Sequence, residues 1–415
     1  MRADDVAQDV RTPVLEPGTP LPGATTPGAS TARSTFPASS PDELGLPAAG
    51  YRAGILGTGF MGGVHARAVR TGGGRVVSVA AADLDIARAA AAGLGAARAG
   101  ARVGELLAEA EDEGGRVCAR NHLHVPLARA ALAAGKHVVC EKPLATDVAG
   151  AVELAGLAAE ARARGGRVAV GPFTYRFAAV VRGARARGRG GGVGTVSLVH
   201  GSYLQDWLLR DSDDNWRVDP ALGGASRAFG DIGSHFCDLL EFTTGQRIVR
   251  LVAQAATVNP HRRGADGVVH EVATEDAVTL QYATDGGALG SAVISQVSAG
   301  RKNRLYLEIS GSESTLAFDQ EQPETLWEGR RTTSRLLVRD PETLSPAAAR
   351  YSRLPAGHAQ GYQDCFDALV ADTAAAIGGA VPDGLPTFDD GLRAARLADA
   401  VATSVRTGGW VEVAS

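Results

Sequence analysis

A strand, a glycine-rich turn and a helix follow one another where patterned sequence begins. The apolar run Arg52-Ala53-Gly54-Ile55-Leu56 ends in Gly57-Thr58-Gly59-Phe60-Met61-Gly62, and Val64, Ala68 and Val69 then open a stripe of helical spacing. In a chain with 53 glycines among 415 residues, a G-x-G-x-x-G by itself means little. Its context constrains the fold. A second apolar run, Val76 to Ala82, ends at Asp83, 21 residues after Gly62, and an Ala-rich helical stretch runs from Ile86 to Leu94. Such a βαβ unit lets the backbone approach a pyrophosphate at a helix N-terminus, while the carboxylate accepts the hydroxyls of an adenosine ribose. Gly57, Gly59, Phe60, Met61, Gly62 and Asp83 are therefore expected to bind a dinucleotide. Leu84 rather than Arg follows Asp83, so no cation waits for a 2′-phosphate; NAD is expected over NADP.

The alternation continues with helices predicted over 103–110, 125–134 and 147–164 and strands over 136–140 and 167–171, which argues a doubly wound parallel sheet. Beyond Tyr175 the texture changes. Strand-like runs cluster over 196–204, 249–258, 277–282, 288–297, 304–309 and 315–318, with a helix around 231–242 and two more at 361–377 and 389–405. That pattern suits a mostly antiparallel open sheet in an α/β chain. The expected division is a Pro-rich disordered tail over 1–50, a nucleotide-binding domain over 51–172 and a second domain over 173–415, its last helices packing back on the first. Eight of the 19 prolines fall in the tail, which cannot bury enough apolar surface to offset its ordering entropy.

Net charge −4 provides no basic field for nucleic acid or anionic lipid. Four cysteines without a C-x-x-C pair predict neither a disulfide framework nor a zinc site, and Asn121-His122-Leu123-His124 lacks a third ligand nearby, so no metal is expected. With no run of 18 apolar residues and no signal sequence, the chain is expected to be cytoplasmic. The run Arg182, Arg185, Arg187 and Arg189 reads as a solvated helix end.

Only three of the 42 basic residues are lysine, Lys136, Lys142 and Lys302. Lys142 stands in Glu141-Lys142-Pro143, directly after a strand, where ligands of a parallel sheet bind; Pro143 allows a cis peptide at that turn. Asp231-Ile232-Gly233-Ser234-His235 opens an apolar helix, and i,i+4 spacing puts carboxylate and imidazole on one face. This spacing suits an acid/base dyad as well as a capping Asp with a core His.

These residues resemble the glucose-fructose oxidoreductase / myo-inositol dehydrogenase (Gfo/Idh/MocA) family, over about 360 residues from Tyr51 onward. The resemblance rests on the Gly57 to Gly62 turn with His65 behind it, Asn121 to His124, Gly135 to Pro143, Tyr175-Arg176-Phe177 and Asp231 to His235. The stretches Gly201 to Trp207, Asn215-Trp216-Arg217 and Gln296 to Asn303 are similar to a branch holding sugar dehydrogenases such as levoglucosan dehydrogenase. The resemblance implies an N-terminal Rossmann domain, a C-terminal domain whose open sheet serves a homo-dimer or tetramer, and hydride transfer between nicotinamide and a secondary alcohol of a sugar, anhydrosugar or cyclitol. It makes His235 the general base, Asp231 its support and Lys142 the group that stabilises the alkoxide. It also puts Asn121, His124 and Glu141 at the cofactor and Tyr175, Arg176, Asn215 and Trp216 around the sugar. A glycosidase of the same fold using transient oxidation, or a non-catalytic NAD-binding regulator, are the alternatives. One departure stands out: where the family has an apolar strand leading into Thr-Pro-Asn, residues 111–121 read EDEGGRVCARN, which predicts a spoiled or shortened fourth strand and weakened cofactor binding.

Overall fold

The computed structural model describes residues 51–414 except 102–103, 105–106, 108–112 and 265–266; the tail over 1–50 and most of the helix expected over 103–110 lie outside the described residues. Six strands, β1 (Arg52–Leu56), β2 (Arg75–Ala80), β3 (Arg98–Gly100), β4 (Gly114–Val117), β5 (His137–Cys140) and β6 (Ala169–Val170), pair in parallel in the order β3-β2-β1-β4-β5-β6. Helices α1 (Phe60–Thr71), α2 (Leu84–Leu94), α3 (His124–Ala133) and α4 (Val148–Gly165) connect them. Strand order reverses between β1 and β4, which opens a crevice beyond the carboxyl ends of those strands. The local chemistry sets the boundaries: Asp147 caps α4 by accepting from Gly150 N at 2.8 Å, and Gly166 ends it at φ +65°.

The fourth strand is present, and short. Gly114–Val117 pairs with β1 on one side and β5 on the other, and all four residues are buried. The two glycines that seemed to spoil it fit their neighbours, because the Tyr51 hydroxyl fills the place of a side chain at Gly114 and Gly115 lies against Ala131. Arg116 is the oddity: fully buried, its guanidinium lies 5.2 Å from the Tyr51 ring centre, with no hydrogen-bond partner among the described residues.

The rest of the chain builds a nine-stranded sheet from β7 (Val196–Leu204), β8 (Ile248–Ala256), β11 (Ala277–Thr284), β12 (Leu289–Ser295), β13 (Arg304–Gly311), β14 (Thr315–Asp319), β15 (Thr325–Gly329), β16 (Ser334–Val338) and β17 (Val411–Glu412). A separate hairpin, β9 (His261–Arg263) with β10 (Val269–Glu271), lies outside it. All pairs in the large sheet are antiparallel except β7 with β12. Alternation separates its two faces. Val199, Tyr203, Ile294 and Leu307 point into a core with Phe236, Leu239 and Leu240 of α6 (Ser234–Thr244), whereas Leu198, Leu289, Val293 and Trp327 are exposed on the other side.

Between the sheets, α5 (Ala179–Arg189) holds the arginine run, and the solvated reading of it fails. Arg182 and Arg185 are only 4% and 7% exposed. Their guanidiniums stack on Phe242, and Asp383, from the loop before α8 (Phe388–Thr407), accepts from Arg185 at 3.2 Å. Aromatic faces and a distant carboxylate replace the water that helix-end arginines usually keep. Finally, α7 (Tyr362–Ile377) returns to the first sheet, where Phe366, Leu369 and Val370 share a core with Ile55, Val64 and Val69. No helix among the described residues is long and apolar enough to cross a membrane.

Candidate active site

The turn after β1 has the shape a pyrophosphate needs. Gly57 takes φ +109°, a conformation that disfavours any side chain. A Cβ on Gly62 would collide with the Gly57 carbonyl, so only glycine lets α1 pack that close. Gly59 differs: a Cβ there would meet nothing within 4 Å, which leaves open space over the helix start. No side chain caps that N-terminus and no acid sits in its first turn, so its N–H groups are available to an anion. Phe60 is 75% exposed beside this space, whereas Met61 turns inward to accept a contact from the Tyr362 hydroxyl at 3.7 Å. Asp83 Oδ1 accepts from the amides of Asp85 and Ile86 at 2.7 and 3.2 Å, which fixes an exposed carboxylate just past β2. These residues fit a dinucleotide.

Across the crevice, Lys142 follows β5 and reaches the segment before α6. Its Nζ donates to Asp231 Oδ1 at 2.6 Å and to the Asp231 carbonyl at 3.0 Å. Gln296, at the end of β12, donates to Asp231 Oδ2 at 2.9 Å, and Arg217 Nε stands 3.7 Å from Oδ1. Burial alone would raise the Asp231 carboxyl, but the charges of Lys142 and Arg217 hold it well below the usual carboxylate range. Asp231 makes no hydrogen bond to His235: its carboxylate is taken by Lys142 and Gln296, and what reaches the imidazole is its charge. The cause is local, since Phe229–Gly233 forms a π-helical turn, in which residues four apart no longer stack as they do in an α-helix.

His235 is 7% exposed and packs edge-on against Tyr175 and Phe173, with ring centres 5.2 and 5.8 Å away. No hydrogen bond reaches its ring from the described residues. Burial, then the Lys142 charge, pushes its pKa well below the ordinary value despite Asp231, so the imidazole is neutral at pH 7 and ready to accept a proton.

Other expected site residues support this pair from behind. Glu141 Oε1 takes His65 Nε2 at 2.8 Å and Oε2 takes Lys142 N at 3.2 Å; the carboxylate anchors the Lys142 turn, whose Lys142–Pro143 bond is cis, instead of lying open to a cofactor. His124 is buried with Nδ1 2.7 Å from the Pro143 carbonyl and Nε2 3.0 Å from that of Ala119, tying the same turn to the end of β4. Asn121 donates to the Gly223 carbonyl at 2.8 Å, across to the loop before α6.

Around the proposed sugar, Tyr175 offers its ring but not its hydroxyl. Asn303 Nδ2 donates to Tyr175 Oη at 3.0 Å, Tyr203 donates to Asn303 Oδ1 at 2.7 Å, and Tyr175 closes the cycle onto Tyr203 at 2.6 Å. Arg176 does not line the site. It is buried against Asp238 and Asp390, 2.7 Å from the latter, because the 3-10 turn Thr174–Phe177 aims it away from Tyr175. Asn215 caps the turn Trp216–Val218 and accepts from Arg217, whose guanidinium stacks on Trp216 at 4.4 Å, so this segment does reach Asp231. The sequence reading missed Gln296, Arg217, Tyr203, Asn303 and Tyr362. All but Tyr362 lie in the stretches quoted for the sugar dehydrogenase branch; Tyr362, at the start of α7, has no local signal.

The sequence matches two family models: an oxidoreductase family with an NAD-binding Rossmann fold over residues 51–171, and the GFO/IDH/MocA C-terminal domain over 181–317. Levoglucosan dehydrogenase of Pseudarthrobacter phenanthrenivorans is 30% identical over 314 residues, 71% of this chain and 78% of the relative. An oxidoreductase domain protein from Kribbella flavida superposes with TM-score 0.82 at 33% identity, covering 88% of this chain and 100% of the other. An inositol dehydrogenase homologue from Azotobacter vinelandii, solved with NAD+, gives TM-score 0.80 at 27% identity over 88% and 98% of the two chains. The open glycine turn, the lysine held by Asp231 and these likenesses meet in one conclusion: the chain belongs to the Gfo/Idh/MocA family of NAD-binding oxidoreductases.

Proposed function

We propose that the protein oxidises, reversibly, a secondary alcohol of a sugar, anhydrosugar or cyclitol, with NAD rather than NADP. The observation that carries this reading is the pairing of a neutral His235, free of hydrogen bonds among the described residues, with a Lys142 ammonium fixed beyond the carboxyl end of β5. When bound, the nicotinamide supplies the hydride acceptor. His235 takes the hydroxyl proton as the C–H hydride departs. Two of the three Lys142 donors are bound to Asp231, which leaves the third for the substrate oxygen as negative charge develops there. The exposed Asp83 carboxylate with Leu84 beside it supports NAD, since a 2′-phosphate would meet like charge and no cation. The names of the relatives support the substrate class. Leu198, Leu289, Val293 and Trp327, exposed on one face of the nine-stranded sheet, support self-association through it.

A spectrophotometric screen of anhydrosugars, hexoses and inositols with each cofactor tests the reading. At least one substrate is expected to reduce NAD, with NADP poorer by about 100-fold, as for a like-charge juxtaposition that costs several kcal/mol. Protein that binds NADH yet reduces NAD with no member of the panel removes the proposal. Light scattering on the same sample checks the subunit count.

A further inference from the structure

The segment from Gln205 to Gly224 carries Trp216 and Arg217 to the Lys142–Asp231 pair, yet it contains only a 3-10 turn at Trp216–Val218 and one helical turn at Pro220–Gly223. Ordering such a segment costs about 1–2 kcal/mol per residue in backbone entropy, so something outside it must hold it. The holder is the β9–β10 hairpin. Arg262, 1% exposed, donates from Nη1 to the carbonyls of Arg210 and Asp213 at 2.8 and 2.9 Å and from Nη2 to that of Leu208 at 2.9 Å. Asn259 Nδ2 adds the Leu209 carbonyl at 3.1 Å, and Arg263 N adds that of Asp211 at 2.9 Å. The carbonyls of four consecutive residues are thus all satisfied from one side.

Arg262 is itself fixed by Asp276, whose Oδ1 accepts from Nη2 at 2.7 Å and also takes Arg227, from the segment that enters the π-helical turn. The Asp276 carbonyl accepts Gln296 N at 3.0 Å, and the Gln296 side chain holds Asp231. Asp276 therefore holds the loop's arginine through its carboxylate and, through its carbonyl, the backbone of the residue that bonds Asp231. Two buried arginines share one aspartate, with the Glu275 carboxylate beside Arg227, and Arg262 Nε has no partner among the described residues. Stability alone does not favour that arrangement. A planar fork that reaches three carbonyls at once does require arginine.

We propose that Arg262 is a positioning residue for substrate recognition: without touching the substrate, it fixes the wall that bears Trp216 and Arg217 over the site. The inference rests on the reading that substrate lies between Lys142 and His235. The test compares Arg262→Met, Arg262→Lys and the milder Asn259→Ala with a control, Arg263→Ala, whose side chain, among the described residues, bonds only to the hairpin's own Gly267 carbonyl. Hydrogen exchange of the amides over 208–217 in substrate-free protein is expected to rise in both Arg262 variants, to a lesser degree in Asn259→Ala, and not in the control. KM for the best substrate of the screen is expected to rise about tenfold or more with kcat within about threefold and NADH affinity unchanged, the signature of lost ground-state and transition-state positioning together. Lysine is expected to restore KM only in part. If Arg262→Met does not fold, Asn259→Ala carries the same comparison. Unchanged exchange over 208–217 overturns the hold on the loop whatever the substrate is, and raised exchange with unchanged KM overturns its role in recognition. A parent protein without dehydrogenase activity overturns the reading of the site instead, a result separate from the exchange data.

Discussion

Lys142 and Asp231 lie 89 positions apart in the chain and meet at 2.6 Å between Nζ and Oδ1, with the Asp231 carbonyl taking a second Lys142 donor at 3.0 Å. One residue comes from the end of a parallel strand and the other from a π-helical turn, so the pair joins the two sheets at the site.

Replacing Lys142 with arginine keeps the charge but not the fit. A guanidinium fork cannot place two donors on Asp231 and one on the substrate from the same point. Lys142→Arg is expected to lower kcat/KM by about 100-fold or more, as for the loss of an oriented donor at a developing oxyanion. The melting temperature should move only a few degrees, as for about 1 kcal/mol. Steady-state kinetics beside a thermal melt decide it, and a fully active arginine variant removes the role given to Lys142.

Gly59 and Gly62 should separate cofactor binding from folding. Gly59→Ala puts a methyl into space that the protein leaves open, so the melt stays unchanged while NADH binding, followed by fluorescence titration, weakens about tenfold through loss of close backbone approach. Gly62→Ala drives a methyl into the Gly57 carbonyl, and both the melt and the titration should suffer. Equal melts for the two variants would contradict this division.

Acid should destabilise the protein from above the carboxylate range. Burial lowers the pKa of His65, His124 and His235 below 6.5, so the folded chain keeps these rings neutral while the unfolded chain takes up protons. Stability from this source is complete above about pH 6.5 and is lost as pH falls below it. Asp231 and Glu141, whose partners hold them low against burial, contribute a further loss deeper in acid. Melting temperature against pH checks the order, and kcat/KM should show no acid limb at the ordinary histidine value, because His235 titrates lower.

Arg176 should prove structural. Arg176→Met leaves Asp238 and Asp390 without their shared cation, at a cost of about 3–5 kcal/mol if the site cannot relax. KM for the sugar should not change. A raised KM with an unchanged melt would return Arg176 to the pocket.

What the sequence revealed and what it hid follow one physical line. β7 was legible to the residue, because alternating apolar side chains mark a strand with one wet face. The glycine turn, Lys142 and His235 were legible because strand ends and helix starts fix where they point. The hydrogen bond from Lys142 to Asp231 was not legible, since a π-helical turn leaves no trace in a 3.6-residue pattern. Arg182 and Arg185 looked solvated because what buries them, Phe242 and Asp383, lies up to 201 positions away. Arg262 gave no local sign: three of its acceptors are backbone carbonyls, which every sequence has, and its carboxylate partner Asp276 lies 14 positions on.

The return of α7 to the first sheet sets the order in which the protein becomes whole. Tyr362 meets Met61 across 301 positions, and Phe366, Leu369 and Val370 complete the apolar flank that Ile55, Val64 and Val69 begin. The layer behind the nucleotide-binding turn stays bare until α7 has folded onto it. The nucleotide-binding turn is thus no self-sufficient module: its backing comes from a helix that meets it across 301 positions of chain.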